Sequence, residues 1–308
     1  MGGTGSLGGV TTTLADGQVT VPSSTWKVAL VLPKDAGDDL SRVSCLTRTI
    51  AVIMPNQDSI RNDPWENYLT TVDAVEILTG YDFFSNLPEP YQHCIEAGTN
   101  GNNPPLVKGN QTITFAAPAD RIYGAPPFTV VATGGASGTP VTFAASGACT
   151  SGGLNGATIT LLAPGLCSVT ASQAGSDLYN PAADVVRTFT VLPWTVSGFY
   201  QPVDMGGVWN TVKNGATVPF KFEVLAGSTE LTNTSVIVQP LTATESLCGG
   251  GPTDEIEILA TGGTALRYDT IFGQFIYNWQ TPKKAGFCYV VTITLTDGSS
   301  LTGKIQLR

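Results

Sequence analysis

The sequence predicts a mainly β protein, and three observations carry that prediction. Only 13% of the residues are charged, while the 308 residues include 35 Gly and 20 Pro, a composition of short strands and tight turns rather than long helices. Short Val-, Thr-, Ile- and Phe-rich runs recur between those turns. The length exceeds what one ordinary core takes and points to two or three domains. No run of eighteen or more apolar residues occurs, so no membrane span is expected.

Taken in order, the opening "MGGTGSLGGV" lacks the basic and then apolar run of an export signal. "TWKVALVL" (25–32) and "RTIAVIM" (48–54) are β-branched runs of strand length across the turn-rich "PKDAGDDLS", and they predict neighbouring buried strands. Asp63-Pro64-Trp65-Glu66 offers an N-cap, a first-turn proline and a glutamate for a short helix. Thr71 caps the next helix. There Val72, Val75 and Leu78 share a face, Asp73 and Glu76 oppose the positive end of the helix dipole, and Gly80 suits the stop. Leu87-Pro88 opens a last helical stretch towards Cys94 and Ile95, and "GTNGNNPP" (98–105) reads as linker.

From Gln111 the grammar changes. "QTITFAAPADRIYGAPPFTVVATGGASGTPVTFAASGACT" and "GLCSVTASQAGSDLYNPAADVVRTFTVLP" alternate short strands with Gly, Pro and Ser turns, as a β-sandwich does. After Pro193, "TVPFKFEV" alternates again: Phe220 and Phe222 face inward and Lys221 outward. Tyr277 and Trp279 of "FIYNWQ" repeat the alternation, as core aromatics or as a sugar-binding platform.

Six cysteines fall two to each third of the chain, Cys45 with Cys94, Cys149 with Cys167 and Cys248 with Cys288. None forms a C-x-x-C pair and the chain has one histidine, His93, so three disulfides within modules are expected rather than zinc ligands. Disulfides imply an oxidising compartment and a secreted or extracellular protein. Residues 1–103 carry a net charge of −7 of the total −9, so a phosphate-gripping surface is not expected there.

"GGTGSLGG", "VTVPSSTWKVALVLP", "DLSRVSCLTRTIAVIMPN" and "VDAVEILTGYDFFSNLP" resemble, in this order, the segments that close the catalytic domain of DNA/RNA non-specific endonucleases, the ββα-metal nuclease family. The resemblance covers residues 1–98. It implies a hydrolase of phosphodiester bonds in which an Asp-Arg-Gly-His segment supplies the base and an Asn binds Mg²⁺; neither segment occurs here. Met1 is therefore expected to sit in mid-domain, with DNA or RNA engaged only through the missing catalytic half. No catalytic residue, metal ligand or cofactor is assigned within the chain, and His93, beside Cys94, is expected at a surface or packing position.

Residues 111–192, through "QTITF", "SQAG" and "RTFTV", resemble a bacterial Ig-like domain of MBG type, with Cys149 and Cys167 expected to join adjacent strands. Residues 194–308 resemble a PxKF module through Pro219, Lys221 and Phe222. The expected order is thus an incomplete α+β nuclease remnant (1–98), a linker (99–110) and two β-sandwiches (111–192 and 194–308). Two functions follow: the C-terminal piece of a secreted bacterial nuclease, inactive as given, whose accessory modules bind an unknown extracellular ligand, or a non-catalytic extracellular interaction protein.

Overall fold

A computed structural model describes residues 13–57, 60–256 and 265–308; "GGTGSLGG" lies outside them. The fold is mainly β, and the chain divides into two compact units. The first comprises residues 1–113, 134–140 and 173–183, the second residues 114–133, 141–172 and 184–308.

The first unit holds β1 (Thr13–Leu14), β2 (Val19–Thr20), β3 (Ser24–Val31), β4 (Arg48–Pro55), β5 (Leu69–Thr70), α1 (Val72–Thr79) and α2 (Glu89–Ala97). β3 and β4 pair antiparallel over their whole length, from Ser24 opposite Pro55 to Val31 opposite Arg48, and β5 extends the sheet beside Ala51 and Val52. The strand propensity of the two runs and the turn between them suffice for this hairpin. The helix expected after Asp63 is a single 3-10 turn, Trp65–Tyr68, with Pro64 at its cap and no side-chain cap. The Asp63 carboxylate instead accepts the Tyr68 hydroxyl at 2.7 Å, so the turn closes on itself. α1 begins as expected, with Thr71 Oγ1 accepting from Ala74 N at 3.1 Å, and stops at Gly80 in the left-handed region, φ 71°.

Buried glutamines tie the other segments of this unit together. Gln173 donates to Thr139 O and accepts from Gly135 N, while Gln111 donates to Asn180 O and accepts from Ser137 N. Both side chains are buried, and these bonds satisfy the amides there. The stretch read as linker is also held: Asn103 donates to the carbonyls of Cys45 and Thr47, and Arg48 donates to Asn100 Oδ1.

The second unit contains β6 (Thr114–Phe115), β7 (Arg121–Ile122), β8 (Phe128–Thr129), β9 (Ala132–Thr133), β10 (Val141–Gly147), β11 (Cys149–Gly152), β12 (Thr158–Leu161), β13 (Gly165–Gln173) and β14 (Val185–Leu192). It continues through β15 (Thr195–Tyr200), β16 (Trp209–Val212), β17 (Thr217–Ala226), β18 (Thr229–Glu230), β19 (Thr242–Ser246) and β20 (Thr253–Glu255). It ends with β21 (Arg267–Asp269), β22 (Gln274–Gln280), β23 (Cys288–Thr294) and β24 (Ser300–Leu307). A four-stranded sheet β10-β13-β14-β7 and a three-stranded sheet β11-β12-β8 form one strand-rich layer pair. Cys149 lies on β11 and Cys167 on β13, so their bridge links the two sheets. The expectation that it joins adjacent strands is corrected: β11 turns away to pair with β12, leaving β13 to pair with β10 and β14.

β6 and β9 pair with each other, and the strands from β15 onward build a sandwich from β15-β17-β22-β21, with β18 beside β17, and β19-β23-β24-β16-β20. Phe220, Phe222 and Phe275 of the first sheet meet Val291, Ile293 and Ile305 of the second in one core. Phe220 and Phe222 have no exposed surface, while Lys221 between them is partly exposed, as strand alternation demands. Tyr277 is buried, and Trp279 packs on Tyr289 with ring centroids 5.7 Å apart, so these rings serve the core rather than a sugar platform.

Candidate functional site

The features that suggest chemistry lie in the first unit, on the β3–β4–β5 sheet and its two helices. Strand alternation divides the sheet into two faces. Trp26 and Val28 of β3 and Ala51 and Ile53 of β4 pack with Val72 and Val75 of α1. On the other face Lys27, Ala29, Ile50, Val52 and Met54, with Trp65, line an open apolar groove of about 370 Å³. Trp65 is 40% exposed there.

The helical side carries the unusual electrostatics. Cys45 and Cys94 are bonded with Cα atoms 5.4 Å apart, and the buried Cys94 packs with Val43, Leu87 and Ile95. This tether draws the end of α2 inward, and Glu96, two residues on, is only 8% exposed. Its Oε1 has no hydrogen-bond partner. Asp73 and Glu76 stand on one face of α1, and oxygens of Asp73, Glu76 and Glu96 lie within 4.8 Å of one another. Burial first, and then the negative charges of Glu76, Asp73 and Asp82, push the Glu96 carboxyl up to about 7. Glu76 is oriented by Phe83 N, which donates to its Oε1 at 2.6 Å, and Phe83 is held edge-on by Trp26 at 5.4 Å. The loop after α1 thus fixes one wall of the cluster.

The residues singled out from sequence distribute as follows. His93 is exposed on α2 and takes no part in the carboxylate cluster. Cys149–Cys167 and Cys248–Cys288 are bonded in the second unit, with Cα separations of 5.4 and 5.2 Å. Pro219, Lys221 and Phe222 lie on β17, with Pro219 opposite Asn278 and Lys221 opposite Ile276 of β22. None of these converges on a reaction centre. Sequence reasoning treated Asp73 and Glu76 as dipole partners only and passed over Glu96. The signal was its position directly after Cys94 and Ile95, two side chains of α2 with no exposed surface. The donor set of three carboxylates without an imidazole does not fit a Mg²⁺ held by one Asn beside a His base, so no hydrolytic step is derived from it.

Residues 3–90 match the family model of the DNA/RNA non-specific endonucleases. A protein named "Nuclease" from Nostoc sp. (strain PCC 7120 / SAG 25.82 / UTEX 2576) is 47% identical over 81 residues, which are 26% of this chain and 29% of that protein. The chain therefore matches less than a third of that relative's length. Among solved structures, a tandem from titin aligns with 94% of this chain and 90% of its own at 9% identity and a TM-score of 0.31. The Yersinia pseudotuberculosis adhesin InvE aligns with 64% of this chain and 58% of its own at 16% identity and a TM-score of 0.27. These structural likenesses are too low to support a shared function. The N-terminal portion of the chain is similar to a nuclease, and three disulfides run through a mainly β protein. Among the described residues no helix is long and apolar enough to cross a membrane.

Proposed function

We propose that residues 1–98 are the C-terminal part of a secreted bacterial DNA/RNA non-specific endonuclease domain, and that the two β-modules that follow, of MBG type (111–192) and PxKF type (194–308), display or tether it. The observation that carries this reading is the match of residues 3–90, a span that holds the β3–β4–β5 sheet and α1, to the model of the DNA/RNA non-specific endonucleases, together with the 47% identity to a nuclease over 81 residues. The apolar groove of Ala29, Ile50, Val52, Met54 and Trp65 supports it, because a sheet face of this composition requires cover. In the complete domain the covering half brings the base His and the Asn that binds Mg²⁺. Those residues are not in this sequence, so the 308-residue chain alone is inactive on phosphodiesters.

Plasmid cleavage with Mg²⁺ tests this. The chain alone should leave supercoiled DNA intact, and a version that adds an upstream half containing an Asp-Arg-Gly-His segment should cleave both DNA and RNA. Metal-dependent nicking by the chain alone, abolished by His93→Ala, would overturn the reading and make His93 a catalytic base.

A further inference from the structure

We propose that Asp73, Glu76 and Glu96 form a Ca²⁺ site that clamps α2 to α1. Their carboxylate oxygens, drawn from two helices, lie within 4.8 Å of one another. Among the described residues, the ion pairs are Arg42–Asp39, Lys284–Glu245 and Arg308–Glu255, so no Lys or Arg neutralises the cluster. Three carboxylates held this close repel, and helix packing alone gives no reason to gather them.

The second observation is the state of Glu96. Its side chain is more than nine-tenths buried, and Oε1 accepts no hydrogen bond. A buried carboxylate oxygen without a donor is costly, and native structures leave few of them. A cation in the cluster removes that cost at Glu96 and the repulsion from its neighbours in one step. The Cys45–Cys94 bond holds α2 two residues before Glu96. The surroundings are otherwise those of a built site. Glu76 is oriented through Oε1 by Phe83 N, which leaves its other oxygen for a ligand, and Asp73 is exposed, giving the ion a way in with its remaining waters.

The donor set selects the ion. Carboxylate oxygens and water are the ligands of hard cations, and no sulfur or imidazole is present to favour zinc. Ca²⁺ bonds six to eight oxygens at about 2.3–2.6 Å in a flexible geometry, which suits three carboxylates gathered within 4.8 Å of one another and completed by water. Mg²⁺ demands a near-ideal octahedron at about 2.0–2.1 Å and sheds its waters reluctantly, so it is the poorer match for three protein carboxylates. Three carboxylates on a partly rigid frame place the dissociation constant on the order of 10⁻⁴ M. The site is separate from phosphodiester chemistry and stands or falls without it.

Calorimetric titration of CaCl₂ into the chelator-stripped 308-residue chain at pH 8, with hydrogen exchange of α1 and α2 read in parallel, tests the proposal. One Ca²⁺ per chain and slower exchange in both helices are expected. Asp73→Asn and Glu96→Gln should each weaken binding by about tenfold or more, by loss of one ligand charge. Where Glu96→Gln disturbs α2 itself, Asp73→Asn, at an exposed position, decides. Absence of binding at about 10 mM Ca²⁺, binding untouched by either substitution, or tighter binding of Mg²⁺ than of Ca²⁺ overturns the proposal.

Discussion

Glu96→Gln in the metal-free chain should stabilise the first unit at pH 8 and leave it nearly unchanged at pH 4. The wild-type carboxyl titrates near 7 in the fold, raised by burial and then by Glu76, Asp73 and Asp82, whereas in the unfolded chain it titrates near the ordinary 4.5. Between those values the folded state holds more protons than the unfolded state, so stability falls as pH rises through the window and is lowest above 7. Each unit of displacement corresponds to about 1.4 kcal/mol, which sets an upper bound of roughly 3 kcal/mol. Asp73 and Asp82 are exposed and their repulsion is screened by water and salt, which brings the expected gain to about 1–2 kcal/mol. Urea unfolding in EDTA at pH 4 and pH 8, read by pulsed hydrogen exchange on peptides from α1 and α2, separates this unit from the sandwiches. A glutamine variant that is equally stable or less stable than wild type at pH 8 would show that Glu96 is not held against its charge. Saturating Ca²⁺ should reverse the order, with wild type the more stable, because the glutamine carbonyl brings no negative charge to the ion.

Removing the disulfides one at a time as Cys-to-Ala pairs should cost about 4 kcal/mol for Cys45–Cys94 and Cys248–Cys288, which span 49 and 40 residues, and about 3 kcal/mol for Cys149–Cys167, which spans 18, as measured by urea midpoints. Phe222→Ala, at a side chain with no exposed surface in the last sandwich, should cost about 3–5 kcal/mol; a loss below about 1 kcal/mol would mean that this core is not packed as described. Thr71→Ala removes the acceptor for Ala74 N and should destabilise α1 by about 1 kcal/mol, seen as faster exchange in its first turn, while Thr71→Ser should be nearly neutral.

The parts of the fold legible in the sequence were those that local chemistry decides. The two β-branched runs at 25–32 and 48–54 pair because a turn brings them back on each other, and Thr71 and Gly80 mark a helix whose ends are satisfied within a few residues. The strand alternation of Phe220, Lys221 and Phe222 shows directly in their burial. The errors arose where a distant partner competed. Asp63 reads as a cap, yet Tyr68 offers a hydroxyl that closes a tighter turn. Cys149 and Cys167 flank one strand-like run and so suggest neighbours, but the order of strands in a sandwich is set by the facing sheet, which no short window contains.

The acidic cluster was illegible for the same reason, and its position explains why it matters. Asp73 satisfies a local rule in the first turn of α1 and Glu76 follows one turn on, so nothing in their own window calls for another role. The Cys45–Cys94 bond and the packing of Leu87 and Ile95 with Val43, which hold α2 against the segment after β3, carry Glu96 into the same few ångströms. An ordinary helical interface resolves such a clash by turning one acid to solvent. Glu96 is instead held at 8% exposure with an oxygen unmatched, although a Gln or Ala there would relieve the repulsion. A fold that keeps the costly residue where a cheaper one fits leaves that carboxylate needing a counter-charge, and the exposed side of Asp73 is where such a charge enters.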